Sequence, residues 1–429
     1  VTLKVVAGPI AGRAFSFDGH DTLLFGRSPD CHAELPEDDT TASRHHFLLE
    51  VNPPQARLRD LGSLNGTHVN GARHGGRARH ERPEDAAGRP FPQVDLAHGD
   101  EIRVGRTVFA VEMDPPPAPS LETAPTSSRT PLAADHADSG RAFLEDLLHR
   151  EGEGPPPEVP GYRVQRLLGR GGMGSVYLAE REGDARPVAL KVMLAQVEVD
   201  ELSRAAFHRE IEITRSLEHP HIVRLLDHGS HGDCFYFAME YCPGGSVEEV
   251  LRTHVTPMPV KTAGRLALLA LEALSFAHAR GFIHRDIKPE NLLLADERAR
   301  SVKVSDFGLA KSFEHAGLSG MTATGVVGGT FCFMPREQLT NFRQVRPAGD
   351  VWSMGATLYY MLTRQYARDF APGQDPLQAI LRGGTVPIRE RDATLPRALA
   401  AVVDRAVADD LAHRYASASQ FQEALASVL

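Results

Sequence analysis

Two stretches in the second half of the chain place acids, an amide and a lysine at spacings that suit phosphoryl transfer. In "FIHRDIKPENLLL", Asp286 sits in a loop after a helical run, with Lys288 two residues on and Asn291 five residues on. In "VKVSDFGLA", Asp306 follows a stretch that reads as a β-hairpin, "LLLADERARSVKVS". Such a hairpin folds Asp306 back toward Asn291, so that a carboxylate and an amide oxygen converge as hard ligands for Mg²⁺. Asp286 is then left to accept a proton from an attacking hydroxyl. Lys288 can neutralise charge on the moving phosphoryl group. Positioning and charge stabilisation are nearly all that this chemistry requires.

These groups need a partner surface that holds the phosphates. "LGRGGMGSVYLA" supplies one, with glycines at Gly169, Gly171 and Gly174 before Val176. Glycine lets backbone N–H groups approach a bulky anion closely. A loop of this composition also fits a plain hairpin or a dinucleotide turn, so alone it decides little. Downstream, Lys191 ends a predicted strand in "VALKVM" and can hold phosphate oxygens as a point charge. In "ELSRAAFHREIEITRSL", Glu210 shares a helical face with Ala206, Ile213 and Leu217. A carboxylate in an apolar stripe needs a partner, and Lys191 is the expected one. Around these motifs, strand-like runs come first and long helical runs follow, such as "TAGRLALLALEALSFAHAR" ending at Gly281. A small β-rich lobe before a larger helical lobe puts a cleft between them.

In this order, the glycine loop, Lys191, Glu210, His284-Arg285-Asp286, Lys288, Asn291, Asp306-Phe307-Gly308 and Asp350 in "DVWSMG" resemble a bacterial eukaryotic-like Ser/Thr protein kinase. The resemblance implies ATP and Mg²⁺ as cofactors, a bilobal α+β kinase fold over residues 158–429, and the Ser/Thr rather than the tyrosine class through Lys288. It implies that Leu168 and the three glycines cover the phosphates. Val176, Ala189 and Leu293 would sandwich the adenine, with Met239 at the back of the pocket and the backbone of Glu240 and Cys242 on the adenine edge. Asp286 and Lys288 would be catalytic, and Asn291 and Asp306 would hold the metal. The activation segment offers Ser319, Thr322 and Thr324 as phosphate acceptors, of which Thr322 and Thr324 are the expected sites. Thr330 is expected to align Asp286 with the substrate hydroxyl. Where the family usually has Ala-Pro-Glu, this chain reads Pro335-Arg336-Glu337. Glu337 can still pair with Arg414 in "LAHRYASA", whereas the lost proline is expected to loosen the substrate-binding loop.

The first 113 residues read as an all-β unit, with "LKVVAG", "RAFSF", "TLLFGR", "HHFLLEV" and "TVFAVEM" separated by turn residues. Arg27 follows a strand, Ser43 and Arg44 open the next, and Asn65-Gly66 sits at a turn. A guanidinium, a hydroxyl and an amide at one end of a sandwich can hold a phosphate and a peptide backbone. "FGRSPDC", "ASRHHFLLE" and "DLGSLNGTHVNG" together closely resemble a forkhead-associated (FHA) domain, a reader of phosphothreonine peptides. The resemblance implies that Arg27, Ser43 and Arg44 contact the phosphate and that Asn65 fixes the peptide backbone. His46 is expected to support the loops, and Asn70-Gly71 to form a turn. The Arg-, Gly- and Pro-rich text between Gly71 and about Val94 reads as a long inserted surface loop.

Residues 114–157 are dominated by Pro, Ser, Thr and Ala and read as a disordered linker. One helical stretch, "RAFLEDLLHR", interrupts it. The expected architecture is therefore an all-β FHA sandwich, a linker and a kinase domain. At 429 residues and a net charge of -9, the chain lacks the basic excess of a general nucleic-acid binder. No apolar run approaches the roughly 20 residues that span a bilayer. Four scattered cysteines without a CxxC pair suit a reducing compartment, and a cytoplasmic location is expected. The implied activity is transfer of the ATP γ-phosphate to protein Ser/Thr hydroxyls, autophosphorylation included, with the FHA domain reading self or substrate phosphothreonines in cis or in trans. The alternative is a weakly active scaffold that works through phosphothreonine-dependent binding.

Overall fold

A computed structural model describes residues 1–17, 19, 21–53, 55–77, 93–113, 159–171, 174–194, 208, 211–212, 214–231, 234–296, 298–307, 330–340, 346–371 and 376–429. The linker 114–157, Glu210, Gly308, Ser319, Thr322 and Thr324 lie outside the described residues, as does the helical stretch expected within the linker.

The N-terminal unit is a β-sandwich. Its strands are β1 (Thr2–Ala7), β2 (Ala14–Ser16), β3 (Asp21–Gly26), β4 (Ala33–Glu34), β5 (Phe47–Asn52), β6 (Gln55–Asp60), β7 (Thr67–Val69), β8 (Ala72–His74), β9 (Gln93–Leu96), β10 (Glu101–Val104) and β11 (Thr107–Glu112). One sheet runs β2-β1-β11-β10-β7-β8 and the other β4-β3-β5-β6-β9. Between them lies a core built on Leu3, Phe25, Phe47, Leu49, Leu58, Ile102 and Phe109. Phe25 stacks on Phe47 at 4.5 Å between ring centroids, and Phe109 meets Phe25 edge-on at 5.7 Å. Truncating one of these rings to alanine costs about 3–5 kcal/mol. The expected loop from Gly71 begins later than its composition suggests. Asn70 (φ 51°) and Gly71 (φ 81°) form a left-handed two-residue turn, and β8 pairs back on β7 beyond it. Ser43 and Arg44 likewise stand in the loop before β5 rather than at its start.

The C-terminal unit opens with a five-stranded antiparallel sheet, β12 (Tyr162–Gly171), β13 (Gly174–Arg181), β14 (Asp184–Leu194), β15 (Leu225–His231) and β16 (Cys234–Glu240), in the order β12-β13-β14-β16-β15. The described residues between 208 and 215 are helical. Below the sheet stand α1 (Val247–Thr253), α2 (Val260–His278), the hairpin β17 (Leu292–Leu294) and β18 (Val302–Val304), α3 (Arg336–Thr340), α4 (Pro347–Thr363), α5 (Pro376–Arg382), α6 (Ile388–Arg391), α7 (Arg397–Ala406) and α8 (Ala418–Ala426). In α2 the buried residues Ala263, Leu266, Ala267, Ala270, Leu271, Leu274 and Ala277 recur at helical spacing. Gly281, at φ 82°, lets the chain turn beyond it. Helix α4 is buried all round from Gly349 to Thr363, which is why it reads as apolar on every face. Pro347 at its first turn costs no hydrogen bond there.

The two units touch. Strand β3 buries Leu23 and Phe25 inside the sandwich. Leu24, pointing the other way, shares a buried cluster with Leu61 of the same unit and with Leu339, Leu377, Ile380 and Leu381 of α3 and α5. A strand covered on both faces reads as an unbroken apolar run, here "LLF".

Candidate functional sites

The cleft between the strand-rich and helical lobes collects the expected groups. Asp286 and Asn291 are brought together by the short 3₁₀ turn Pro289–Asn291. The Asn291 amide nitrogen donates to the Asp286 carbonyl at 2.7 Å and to its Oδ2 at 3.0 Å. Its Oδ1 therefore remains available as an acceptor or ligand. Lys288 Nζ stands 3.0 Å from Asp286 Oδ2. The hairpin β17–β18 does what its sequence requires: Ser305 N–H donates to the Asn291 carbonyl at 2.9 Å, which seats Asp306 beside Asn291. Asp306 adopts φ 60°, a left-handed conformation uncommon outside glycine. Lys191 has Nζ 2.9 Å from Asp306 Oδ1, while its expected partner Glu210 lies outside the described residues. Burial raises the Asp306 carboxyl, but the adjacent Lys191 charge more than offsets it and holds the pKa below the usual carboxylate range.

Above these groups, Ala189 and Met239 are buried with Leu168 and Val176 packed against them. Leu293 sits on β17, bridged to Ser246 from below. Cys242 is buried, and Glu240 donates its N–H to the Arg224 carbonyl at 2.9 Å. The β12–β13 hairpin pairs Gly169 with Val176 and Gly171 with Gly174. A side chain at Gly174 is excluded, because its φ is 147° and a Cβ would lie 2.1 Å from the Val192 carbonyl oxygen. At Gly169 a Cβ would meet nothing within 4 Å, so that glycine faces open space. Hard oxygen donors below and an apolar slot with an open glycine hairpin above fit a magnesium-bound nucleotide.

At one end of the N-terminal sandwich, Arg27 donates through Nε to the Ala42 carbonyl at 2.7 Å and through Nη1 to the Glu37 carbonyl at 2.9 Å. Ser43 Oγ accepts the Leu64 N–H at 3.1 Å, and Asn65 Nδ2 donates to the Thr41 carbonyl at 2.7 Å. These bonds lace three loops into one rim. His46 is fully buried beneath it, its Nδ1 accepting from Ser43 N–H at 2.9 Å, as a supporting residue would be. Arg44 is exposed on this rim.

The protein kinase domain model matches residues 162–424, and the FHA domain model matches residues 23–105. The chain belongs to the protein kinase family. It also carries an FHA domain. It is 37% identical over 280 residues to the serine/threonine-protein kinase PknJ of Mycobacterium tuberculosis, covering 63% of this chain and 45% of that protein. It is 33% identical to the serine/threonine-protein kinase pkn2 of Myxococcus xanthus, over 62% of this chain and 32% of the relative. The chain thus spans about a third to just under a half of the length of these relatives. A double-mutant form of the Mycobacterium tuberculosis PknI kinase domain shares the fold, with a TM-score of 0.50 at 24% identity, over 65% of this chain and 99% of that one.

The kinase cleft is braced from behind by a set of buried polar contacts. Asp350 is fully buried and accepts from His284 N–H at 2.8 Å, Arg285 N–H at 2.8 Å and His278 Nε2 at 2.7 Å. Burial raises its pKa, but hydrogen bonding from His278 and the other donors carries the net shift downward. It therefore pins the loop that holds Asp286, with Arg285 at φ 67°. His284 Nε2 is 2.7 Å from the Ser305 carbonyl, and its ring meets Phe307 at 4.6 Å, tying the Asp286 and Asp306 loops together. Glu337 pairs with Arg414, as expected, and Arg414 is buried. Gln338 in α3 donates to the Arg285 carbonyl at 2.8 Å. His278, six residues before His284, and Gln338, next to Glu337, belong to no motif that the sequence reading used, and only a helix-face argument for α2 could have flagged the histidine.

Arg336, the departure from Ala-Pro-Glu, has a role in this fold. Its Nη2 lies 2.8 Å from Asp30 Oδ2 of the FHA domain. Asp30 Oδ1 in turn is 2.9 Å from Nε2 of the buried His45. Hydrogen bonding from His45 leads the causes that hold the Asp30 carboxyl well below its ordinary value, with Arg336 assisting. The replaced proline frees a position for an interdomain ion pair.

Proposed function

We propose that this chain is an active Ser/Thr protein kinase, transferring the ATP γ-phosphoryl group to Ser/Thr hydroxyls of proteins in the cytoplasm, with its FHA domain reading phosphothreonine. The observation that carries the reading is the gathering of Lys191, Asp306, Asn291, Asp286 and Lys288 in one cleft. Mg·ATP, when bound, supplies the phosphoryl group and the metal charge that offsets it. Asp306 and Asn291 Oδ1 would hold the metal. Lys191, already beside Asp306, is within reach of phosphate oxygens once the nucleotide enters. Asp286, fixed by the Asn291 amide and by the loop that Asp350 pins, would accept the proton of the incoming hydroxyl. Lys288 would neutralise charge on the transferred group. Leu168, Val176, Ala189, Met239 and Leu293 would enclose the adenine, with the backbone of Glu240 and Cys242 at its edge.

In the FHA domain, Arg44 is the exposed cation for a phosphate. Arg27 and Ser43 shape the rim, and Asn65 lies where a peptide backbone would pass. Thr322 and Thr324 are proposed as autophosphorylation sites. Incubation of the full chain with ATP and a threonine-rich protein, followed by phosphosite mapping, tests the kinase. Phosphate on the protein and on Thr322 or Thr324 is expected from wild type and not from Asp286→Asn. Equal incorporation by both would leave only the binding scaffold.

A further inference from the structure

The seam between the two domains is built, on the kinase side, from the stretch that follows Thr330. Leu24 and Leu61 of the FHA domain share a buried cluster with Leu339 of α3 and with Leu377, Ile380 and Leu381 of α5, and Phe331 and Met334 pack against it. Beside the cluster, Arg336 Nη2 lies 2.8 Å from Asp30 Oδ2. The helix that carries Arg336 also reaches the catalytic loop, because Gln338 donates to the Arg285 carbonyl at 2.8 Å, one residue from Asp286. Phe331 adjoins Thr330, the residue expected to align the acceptor hydroxyl. A folded protein that brings a hydroxyl to Asp286 must rest its own surface on this face of the helical lobe. The FHA domain already lies there.

The contact is built to open. Leu24 and Ile380 are fully buried in it, but the ion pair is only partly covered, with Arg336 36% and Asp30 30% exposed. Such a pair holds little by itself. Next to it the domains leave a cavity of about 640 Å³, lined by Phe17, Asp21, Asp30 and Cys31 on one side and by Glu337 and Thr340 on the other. A permanent interface is packed like a protein interior instead. Residues 114–157 join the two domains covalently, so that the domains can part and still meet again at high effective concentration.

Resting on the reading of the chain as a protein kinase, we infer that the FHA domain is a removable cover over the protein-substrate face. Docked through Leu24 and Asp30, it keeps folded protein substrates from Asp286. It leaves the nucleotide cleft open, since Lys191, Asp306, Asn291 and Leu168 take no part in the buried cluster or the ion pair of the seam. Undocking admits the protein. The domain thus decides which acceptors the kinase reaches, apart from any phosphothreonine that it reads.

The test uses the full chain, pre-incubated with Mg·ATP to constant activity, and two acceptors. One is a degenerate Ser/Thr peptide library, short enough to enter beside a docked FHA domain. The other is folded: a second copy of the chain carrying Asp286→Asn and Leu24→Asp, which cannot phosphorylate itself and whose own face is uncovered. Leu24→Asp in the enzyme is expected to raise the rate on the folded acceptor about tenfold, as for a cover open about a tenth of the time. The peptide rate should stay close to wild type. Small-angle scattering should show a larger radius of gyration for Leu24→Asp than for wild type. Leu24→Ala and Asp30→Ala should move the protein rate the same way by a smaller factor, and they carry the comparison if a thermal melt shows the charged variant unfolded. Equal rates on the folded acceptor, with the peptide phosphorylated by both enzymes, overturn the cover and leave the kinase standing. So does an equal rise on both acceptors, or an unchanged radius of gyration. Peptide phosphorylation by neither enzyme overturns the kinase reading and the cover with it.

Discussion

The two ligand sites of this chain differ in how their charges are balanced. In the kinase cleft each acid already faces a cation or a donor: Asp306 faces Lys191, and Asp286 faces Lys288 and the Asn291 amide. At the FHA rim the acids point away. Asp30 serves His45 and Arg336, and Asp39 bonds Thr41 and Arg106, so among the described residues Arg44 has no carboxylate paired with it. A balanced cluster suits a ligand that brings its own metal, because cation and anion enter together and the protein pairs rearrange. An unbalanced cation suits a bare anion such as a phosphate ester. The charge balance of each site is thus a statement about what fills it.

The largest expected effect comes from breaking the balanced cluster at its proton acceptor. Asp286→Asn should lower kcat about a thousandfold while leaving ATP affinity near that of wild type, within the range of a lost general base. Steady-state phosphorylation and nucleotide titration on the same samples check both halves. Lys191→Met comes next. It leaves the half-buried Asp306 without its cation, so nucleotide affinity and turnover should both fall, the rate about a hundredfold. An unchanged ATP affinity in that variant would show that the Lys191–Asp306 pair does not open for the nucleotide.

Supporting pairs in the kinase lobe should answer in stability. Glu337→Gln leaves the buried Arg414 guanidinium without its partner and should cost about 3 kcal/mol in urea unfolding. Asp350→Asn removes the shared acceptor of His284, Arg285 and His278 and should cost a similar amount at neutral pH. Its pH signature has a definite sign. The folded Asp350 carboxyl titrates below its unfolded value of about 3.9. Its stabilisation is therefore complete above that value and is lost as pH falls through the depressed folded one. Between pH 6 and pH 3, Asp350→Asn should lose less stability than wild type.

What could be read from the sequence follows the same division. The cleft was legible because its chemistry sits in short motifs: Asp286 to Asn291 is five residues, and the β17–β18 hairpin brings Asp306 home by local folding alone. The FHA rim was legible as a set of residue types but not in their bonding. Nothing local says that Arg27 turns inward to the Ala42 and Glu37 carbonyls while Arg44 stays out. The seam was not legible at all. Leu24 looks like any strand residue until α5 covers it, and Arg336 looked like a damaged motif until Asp30 appeared opposite. Long-range packing decides such positions, and no spacing rule reaches across 306 residues.

The smallest expected effect sharpens the contrast between the two rim arginines. Arg27 has Nε and Nη1 occupied by carbonyls 2.7 and 2.9 Å away, so its charge is partly spent inside the protein. Arg27→Ala should destabilise the chain by about 1–2 kcal/mol, because two carbonyls lose a charged donor. Peptide affinity should fall only as far as the rim loosens, a few-fold, and its dependence on salt should stay close to wild type. Arg44→Ala should do the reverse, leaving the melting temperature in place and flattening the salt dependence as a phosphate contact is lost. Paired melts and salt titrations of the two variants measure this. If Arg27→Ala flattened the salt dependence and Arg44→Ala did not, the phosphate would belong to Arg27, and the inward bonds of that side chain would have to break on binding.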